Sequence, residues 1–385
     1  MFNVVFVCIV FLPSALISNT LFSQGSNILY REGSSSTVRQ RFFVKEEFHY
    51  LNVSVVGTSS VYDVLDCTFK CICNPLCFSV NLAASTEADG EAWCELLSSD
   101  KYRNSTEYTD SRNAHHLFLK SPCSSSPCQN KATCVTNYKY GSFECLCKEG
   151  YVGKYCERAI KSCKEMFDLN ELNTNQLVTL IVDSKPLSVF CHVENFGCGR
   201  GGWTPVMKID GNKVTFRYDS EYWVDKNTFK LGGGKTGFDS QETKLPTYWN
   251  TSFSKICLGM KNGQNKTFIG MNKQAESLYS LIADGNYRNT SLGRTSWKNL
   301  IGSDASLQQN CNMEGFNAVS KDRNYAKARI GILGNNEENC DSSDSWIGFG
   351  TGVVYNENLT CGNYALANPD NGDKTIGTMG YILVQ

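Results

Sequence analysis

The feature that most constrains the fold of this chain is its cysteine content, 19 cysteines in 385 residues. After Cys8, the other cysteines fall into clusters of five, six and seven along the sequence. In an oxidising compartment such clusters form disulfides, and metal binding is disfavoured because paired Cys-x-x-Cys motifs with flanking histidines are missing. The sequence therefore predicts a secreted chain made of several modules that disulfides hold together.

The N-terminus has the pattern of a secretory signal peptide. Residues 1–18 form an apolar run that is too short to span a bilayer and that small residues follow. We predict a signal peptide over 1–23, and cleavage after Ser18 or after Ser23 remains open. No Lys or Arg precedes the apolar core, and the alternative is a buried first strand or helix. No later apolar run is long enough for a membrane span, so none is expected.

Sequons and charge limit the partners of the chain. Six Asn-x-Ser/Thr sequons favour passage through the secretory pathway and are predicted N-glycosylation sites. They lie at Asn52, Asn104, Asn250, Asn265, Asn289 and Asn358. The 37 basic and 38 acidic side chains nearly cancel, which gives no electrostatic basis for binding nucleic acid.

Residues 24–41 are rich in Ser and Arg and predict a flexible lead-in, and residues 42–120 predict a first folded module. In that module, Cys67 and Cys71 stand one helical turn apart after an N-cap signal, so they share one face of a predicted helix. Two strand-like segments follow, one beginning at Cys77 and one around Cys94. The pattern predicts a helix that disulfides attach to a sheet.

These residues resemble a PAN or apple domain, an α+β module that carries this helix with two cysteines, then a Cys-x-Ser-x-Asn strand and a Cys-Glu-Leu segment. The resemblance implies that Cys67 pairs with Cys94 and that Cys71 pairs with Cys77. Cys73 has no place in this pattern.

The second cluster lies in a segment of residues 121–157 that is too small to bury a sufficient core without staples. Its spacing, with Gly150 and Gly153 between the last two cysteines, resembles an EGF-like domain, a small β module. The resemblance implies three pairs, which are Cys123 with Cys134, Cys128 with Cys145, and Cys147 with Cys156. The approach to the first cysteine, 118–122, has no carboxylate, so we predict that this module binds no calcium.

Residues 161–385 are rich in Gly, Asn, Ser and aromatic residues and predict a loop-rich α+β domain. Gly201 and Gly202 precede Trp203, where small residues let the chain turn beside a large buried ring. This opening resembles a fibrinogen-related or intelectin-like domain, which implies that Cys163 pairs with Cys191.

One acidic loop of this domain is a candidate calcium site because it is dense in oxygen donors. The candidate ligands are Glu337, Glu338, Asp341 and Asp344. The alternative is an ordinary solvated loop, since no EF-hand spacing is met. Trp346 and Tyr355 are candidate sugar-stacking aromatics, although most aromatic residues here are expected in the core.

An enzymatic role is not expected. The four histidines are His49, His115, His116 and His192. A protease needs a nucleophile beside a histidine, but every cysteine after the signal is a plausible disulfide partner, and catalytic motifs such as Gly-x-Ser-x-Gly and His-Glu-x-x-His are missing. We expect the pair His115-His116 to be exposed and without a partner.

The order of apple-like, EGF-like and fibrinogen-like modules resembles cnidarian secreted proteins, among them EGF-containing proteins of the coral skeletal organic matrix. We therefore predict a multidomain, disulfide-rich α+β chain that acts as a structural or adhesive matrix glycoprotein, with matrix proteins or glycans as partners. The alternative is a soluble calcium-dependent lectin that binds glycans through the C-terminal domain.

The outer clusters hold odd numbers of cysteines, and the sequence leaves the partners of six residues open. These are Cys73, Cys198, Cys257, Cys311, Cys340 and Cys361. We hypothesise that Cys73 bonds a C-terminal-domain cysteine or a second chain, the latter giving a disulfide-linked oligomer.

Overall fold

The computed structural model describes residues 28–30, 39–138, 140–322, 324–352 and 358–385. It divides into two compact units, the first ending at Arg158 and the second beginning at Ala159. The predicted signal peptide, 1–23, lies outside the described residues. The predicted lead-in, 24–41, contains a pair of antiparallel strands, β1 (Ile28–Tyr30) and β2 (Arg39–Arg41), and its other residues also lie outside.

The first unit continues with a five-stranded sheet and one helix. Its elements are β3 (Phe43–Glu46), β4 (His49–Leu51), β5 (Val55–Val61), α1 (Val64–Cys73), β6 (Ser79–Ala83), β7 (Ala92–Leu97), β8 (Tyr108–Asp110) and β9 (Ala114–Leu119). The strand order is β3-β9-β6-β7-β5, and β4 pairs separately with β8. No described helix in either unit is long and apolar enough to cross a membrane.

Helix α1 forms because its start is capped and one face is apolar. The Asp63 side chain accepts a hydrogen bond of 2.8 Å from the Asp66 backbone N–H, which satisfies an unpaired donor of the first turn. Cys67 and Cys71 are buried on the face toward the sheet, where they bond Cys94 and Cys77. These are the pairs that the resemblance implied.

The unit ends with the second cysteine cluster. Its strands are β10 (Thr133–Asn137), β11 (Ser142–Leu146), β12 (Tyr151–Val152) and β13 (Arg158–Ala159), the last of which reaches the first residue of the second unit. β10 and β11 form an antiparallel hairpin in which Cys134 lies opposite Cys145.

The second unit is mostly β. Its elements are α2 (Cys163–Asp168), β14 (Gln176–Val182), β15 (Lys185–Cys191), β16 (Thr204–Asp210), β17 (Thr243–Lys244), α3 (Thr247–Asn250), β18 (Phe253–Asn262), β19 (Asn265–Ala275), α4 (Leu278–Ile282), β20 (Arg288–Asn289), α5 (Arg294–Ile301), β21 (Asn310–Val319), β22 (Lys327–Asn335), β23 (Ser345–Gly352), β24 (Cys361–Ala365), β25 (Lys374–Gly377) and β26 (Met379–Val384). A hairpin, β14-β15, stands beside a five-stranded sheet, β17-β16-β26-β18-β19, and a six-stranded sheet, β20-β21-β22-β23-β24-β25. One apolar core holds residues of both larger sheets and of α5, including Ile256, Leu258, Trp297 and Ile330.

This unit is mostly β, whereas the sequence predicted a loop-rich α+β domain. One reason for the difference is that many of its glycines lie inside strands and not in loops. Five of them stand opposite one another across β21 to β25, namely Gly315, Gly331, Gly348, Gly362 and Gly377. A Cβ atom on Gly331 would lie 2.6 Å from the carbonyl oxygen of Ile347, so a larger residue would not fit there. We call these five residues the glycine row. Glycine here permits close strand packing.

Candidate functional site

The segment of residues 121–157 is the best-defined candidate site because three disulfides fix its backbone. Its bonds are Cys123–Cys134, Cys128–Cys145 and Cys147–Cys156, the pairs that the resemblance implied. Cys123 and Cys156 are fully buried, whereas most other residues of the segment are at least partly exposed. The segment thus depends on its disulfides more than on an apolar core.

Tyr138, which follows β10, attaches this segment to the module before it. Its hydroxyl donates a hydrogen bond of 2.7 Å to Oδ2 of Asp100, and its ring stacks on Phe78 with centroids 5.3 Å apart. Burial, together with the nearby charge of Asp100, raises the pKa of Tyr138 far above its usual value. The phenol therefore stays protonated and remains a donor.

Asp100 is itself held in place. It is 2% exposed, and its Oδ1 accepts hydrogen bonds from the backbone N–H groups of Tyr102, at 2.9 Å, and Arg103, at 3.0 Å. Tyr138 occupies the other oxygen, so both carboxylate oxygens have partners. A buried carboxylate that is satisfied in this way fixes the groups around it.

A second contact lies beside the first. The Tyr102 hydroxyl donates a hydrogen bond of 3.1 Å to Oγ of Ser124, in the turn that opens the cysteine cluster. Lys101 lies over the Phe118 ring, 4.3 Å from its centroid, and pairs with Glu46. Although burial alone would raise the pKa of Glu46, hydrogen bonds from Lys101 and Tyr108 hold it below its usual value. The hydrogen bonds from Tyr138 to Asp100 and from Tyr102 to Ser124 join the two modules of the first unit.

One family model matches this segment. The model for the EGF-like domain covers residues 123–155. These residues form an EGF-like domain.

Three curated relatives share short stretches with this chain. The chain is 49% identical over 45 residues to the inactive serine protease PAMR1 of Xenopus tropicalis, which is 11% of this chain and 6% of that protein. It is 35% identical over 57 residues to the basement membrane-specific heparan sulfate proteoglycan core protein of Mus musculus, 15% of this chain and 2% of that protein. It is 48% identical over 44 residues to protein glp-1 of Caenorhabditis elegans, 11% of this chain and 3% of that protein. The chain spans less than a tenth of each relative.

The predicted calcium ligands are not gathered into one site. Asp341 lies 3.4 Å from Lys321, and Glu337 accepts a hydrogen bond of 3.4 Å from Ser342. The backbone N–H of Asp344 donates to Gln308. Within the described ranges, no three His, Cys, Asp or Glu side chains are grouped so that they could hold a metal ion. The structure therefore does not group Glu337, Glu338, Asp341 and Asp344 into a metal cluster.

One of the two candidate sugar-stacking aromatics is buried. Trp346 is fully buried and stacks on Tyr364 in a small core cluster, so it presents no ring to a ligand. Tyr355 lies outside the described residues. Trp346 belongs to the core because β23 is buried along its whole length.

The histidine pair is buried, which corrects the expectation of an exposed pair. The backbone N–H of Phe48 donates a hydrogen bond of 3.0 Å to Nδ1 of His115. His116 is fully buried with its Nδ1 3.0 Å from Oδ1 of Asn81, and burial lowers its pKa to about 3. Both residues lie on β9, a strand buried along its whole length. His192 is also buried and stacks on a neighbouring phenylalanine ring at 4.0 Å.

The structure assigns most of the cysteines that the sequence left open. Cys198 bonds Cys257, Cys311 bonds Cys340, and Cys163 bonds Cys191 as the resemblance implied. Cys361 is a free, buried thiol. The hypothesis that Cys73 bonds a C-terminal-domain cysteine is therefore wrong. Cys73 is already disulfide-bonded in the structure, so it offers no free thiol to a second chain.

The sequons differ in exposure. Four asparagines are exposed, namely Asn52, Asn265, Asn289 and Asn358. Asn104 and Asn250 are half-buried, and the side-chain amides of both have partners within the protein. The sequence gives no sign of the link between Tyr138 and Asp100, because Tyr138 and Tyr140 both lie between Cys134 and Cys145 and nothing indicates which of them contacts the preceding module.

Proposed function

We propose that this chain is a secreted extracellular matrix glycoprotein with a structural or adhesive role. The observation that carries the proposal is the attachment of the EGF-like domain to the preceding module through Tyr138 and Asp100. Disulfides stabilise each of the two modules and a partly buried hydrogen bond joins them, which suits a protein that maintains contacts outside the cell.

Further support comes from composition and from relatives. The chain combines many disulfides with exposed sequons, as expected after passage through the secretory pathway. One relative is named as a basement membrane proteoglycan core protein, and we extend only an extracellular setting from it to this chain. A skeletal, biomineral-associated matrix is the finer part of the proposal, and it rests on the resemblance to coral matrix proteins.

Two observations disfavour the lectin alternative. Its candidate calcium ligands are dispersed, and Trp346 is buried. A glycan array probed with and without chelator separates the two functions, because a calcium-dependent lectin loses its binding when calcium is removed.

The direct test is fractionation of cells that secrete the full-length chain and deposit a matrix. We expect the protein in the insoluble matrix after detergent extraction, and we expect it to stay there when a chelator is added. In a mineralised host, its peptides should remain in the insoluble fraction after demineralisation. Recovery of the whole protein from the soluble medium, with chelator-sensitive binding to defined glycans, would contradict the proposal.

A further inference from the structure

The edge strand of the first sheet, β5, offers an open contact surface. β5 is seven residues long, contains neither proline nor a charged residue, and pairs on one side only with β7. Its other side meets no strand in the part of the chain that the structure describes. Open strand edges of this kind accept another extended chain unless charge or proline protects them.

Two exposed aromatic residues lie at one end of this edge. Tyr62 follows the last residue of β5 and is 72% exposed, and Trp93 lies opposite Ser60 of β5 and is 36% exposed. Trp93 precedes Cys94, which bonds the helix, so the two side chains point to opposite faces of β7. Large exposed rings beside an open edge provide apolar contact area for a partner.

The chain segment that carries these two rings is acidic. Residues 61–93 contain five acidic side chains and one basic one, a net charge of −4. The acidic residues are Asp63, Asp66, Glu87, Asp89 and Glu91. Glu91 directly precedes Ala92, which lies opposite Val61, and Asp66 pairs with the Lys70 that bonds Ser60, so both carboxylates lie at this end of the edge.

The basic residue of this stretch is already engaged. Lys70 lies 3.4 Å from Asp66 and donates a hydrogen bond of 3.0 Å to the backbone oxygen of Ser60 on β5. Among the described residues, no ion pair joins Asp63, Glu87, Asp89 or Glu91 to a base. The surface therefore combines a strand edge on which Lys70 occupies the Ser60 carbonyl with four carboxylates, Asp63, Glu87, Asp89 and Glu91, that have no basic partner among the described residues.

We infer that the edge of β5, with Tyr62, Trp93 and the surrounding carboxylates, binds an extended segment of another extracellular protein that carries Lys or Arg at alternate positions. Backbone hydrogen bonds to β5 supply affinity, whereas the carboxylates and the two rings select basic side chains. This inference rests on the proposed function as an extracellular contact protein and names the chemistry of its partner.

The test uses the full-length secreted protein and a fluorescent peptide as long as β5, in which arginine alternates with threonine and valine. The same peptide with glutamate in place of arginine is the control ligand. Anisotropy should show binding of the arginine peptide, weaker binding at high salt, and no binding of the glutamate peptide. Peptide binding and matrix retention are measured separately. A protein that is retained in the matrix but does not bind the peptide contradicts this inference alone, and one that binds the peptide but is not retained contradicts the proposed function alone.

Three variants locate the binding. Asp89→Lys combined with Glu91→Lys should weaken binding about tenfold or more, and Trp93→Ala should weaken it independently. Glu107→Lys combined with Glu144→Lys, at two exposed positions elsewhere in the unit, is the matched control and should bind normally. Equal binding of both peptides, or unchanged affinity in the first two variants, would overturn the inference. Trp93-dependent self-association in sedimentation would also overturn it, since a second copy would then be the occupant.

Discussion

The Tyr138 hydroxyl lies 2.7 Å from Oδ2 of Asp100, and this hydrogen bond joins the EGF-like domain to the module before it. Residues 118–122, which lead into Cys123, contain no carboxylate that could bind calcium there. The attachment is therefore made by side chains, and it should not depend on metal.

Tyr138→Phe should loosen this junction. The variant keeps the ring on Phe78 but leaves one oxygen of the buried Asp100 without its donor, at a cost of about 2 kcal/mol. Limited proteolysis should cut near residues 120–122 faster than in the wild type, and chelator should change neither rate. Tyr140→Phe, at a residue that is 72% exposed, is the control. Equal cleavage of the wild type and Tyr138→Phe would contradict the role of this bond.

His192 should make stability depend on pH. Burial lowers its pKa in the folded protein to about 4, below the value near 6.5 of an unfolded histidine. Between these values the unfolded state binds more protons, so the free energy of unfolding falls as pH falls, by up to about 1.4 kcal/mol per pH unit. Denaturation at pH 7 and pH 5 should show a smaller decrease for His192→Phe than for the wild type. An identical decrease in both proteins would show that His192 does not cause it.

The glycine row should tolerate no side chain at its centre. Gly331→Val places a Cβ atom 2.6 Å from the Ile347 carbonyl oxygen and should destabilise the second unit by about 3 kcal/mol. Gly232→Ala is the control, because nothing lies within 4 Å of the added atom. Urea unfolding measures both variants, and a Gly331→Val protein as stable as the control would refute the close packing.

The parts of this fold that the sequence predicts are those that local spacing determines. The cysteine spacing predicts the EGF-like framework, since three staples determine so small a module. Composition predicts loops for the glycine row, because it does not distinguish a glycine in a turn from one between close strands. The burial of His115 and His116 escapes prediction because β9 is a central strand buried along its whole length, and its neighbours β3 and β6 are distant in sequence.

Glycosylation should follow exposure. We expect glycans at Asn265 and Asn289, which are exposed, and less occupancy at Asn250, whose side-chain amide donates to Asp183. Mass spectrometry of peptides after enzymatic deglycosylation in heavy-oxygen water measures each site separately. Full occupancy at Asn250 with empty sites at Asn265 and Asn289 would reverse this expectation.

The most direct test of an extracellular, disulfide-held protein is the disulfide map of the full-length chain recovered from the medium of secreting cells. Without reduction, peptide mass spectrometry should find the bonds Cys123–Cys134, Cys128–Cys145 and Cys147–Cys156, and it should find Cys361 as a thiol once the protein is denatured. Reduced cysteines in the EGF-like domain, or a different set of pairs within it, would contradict this account.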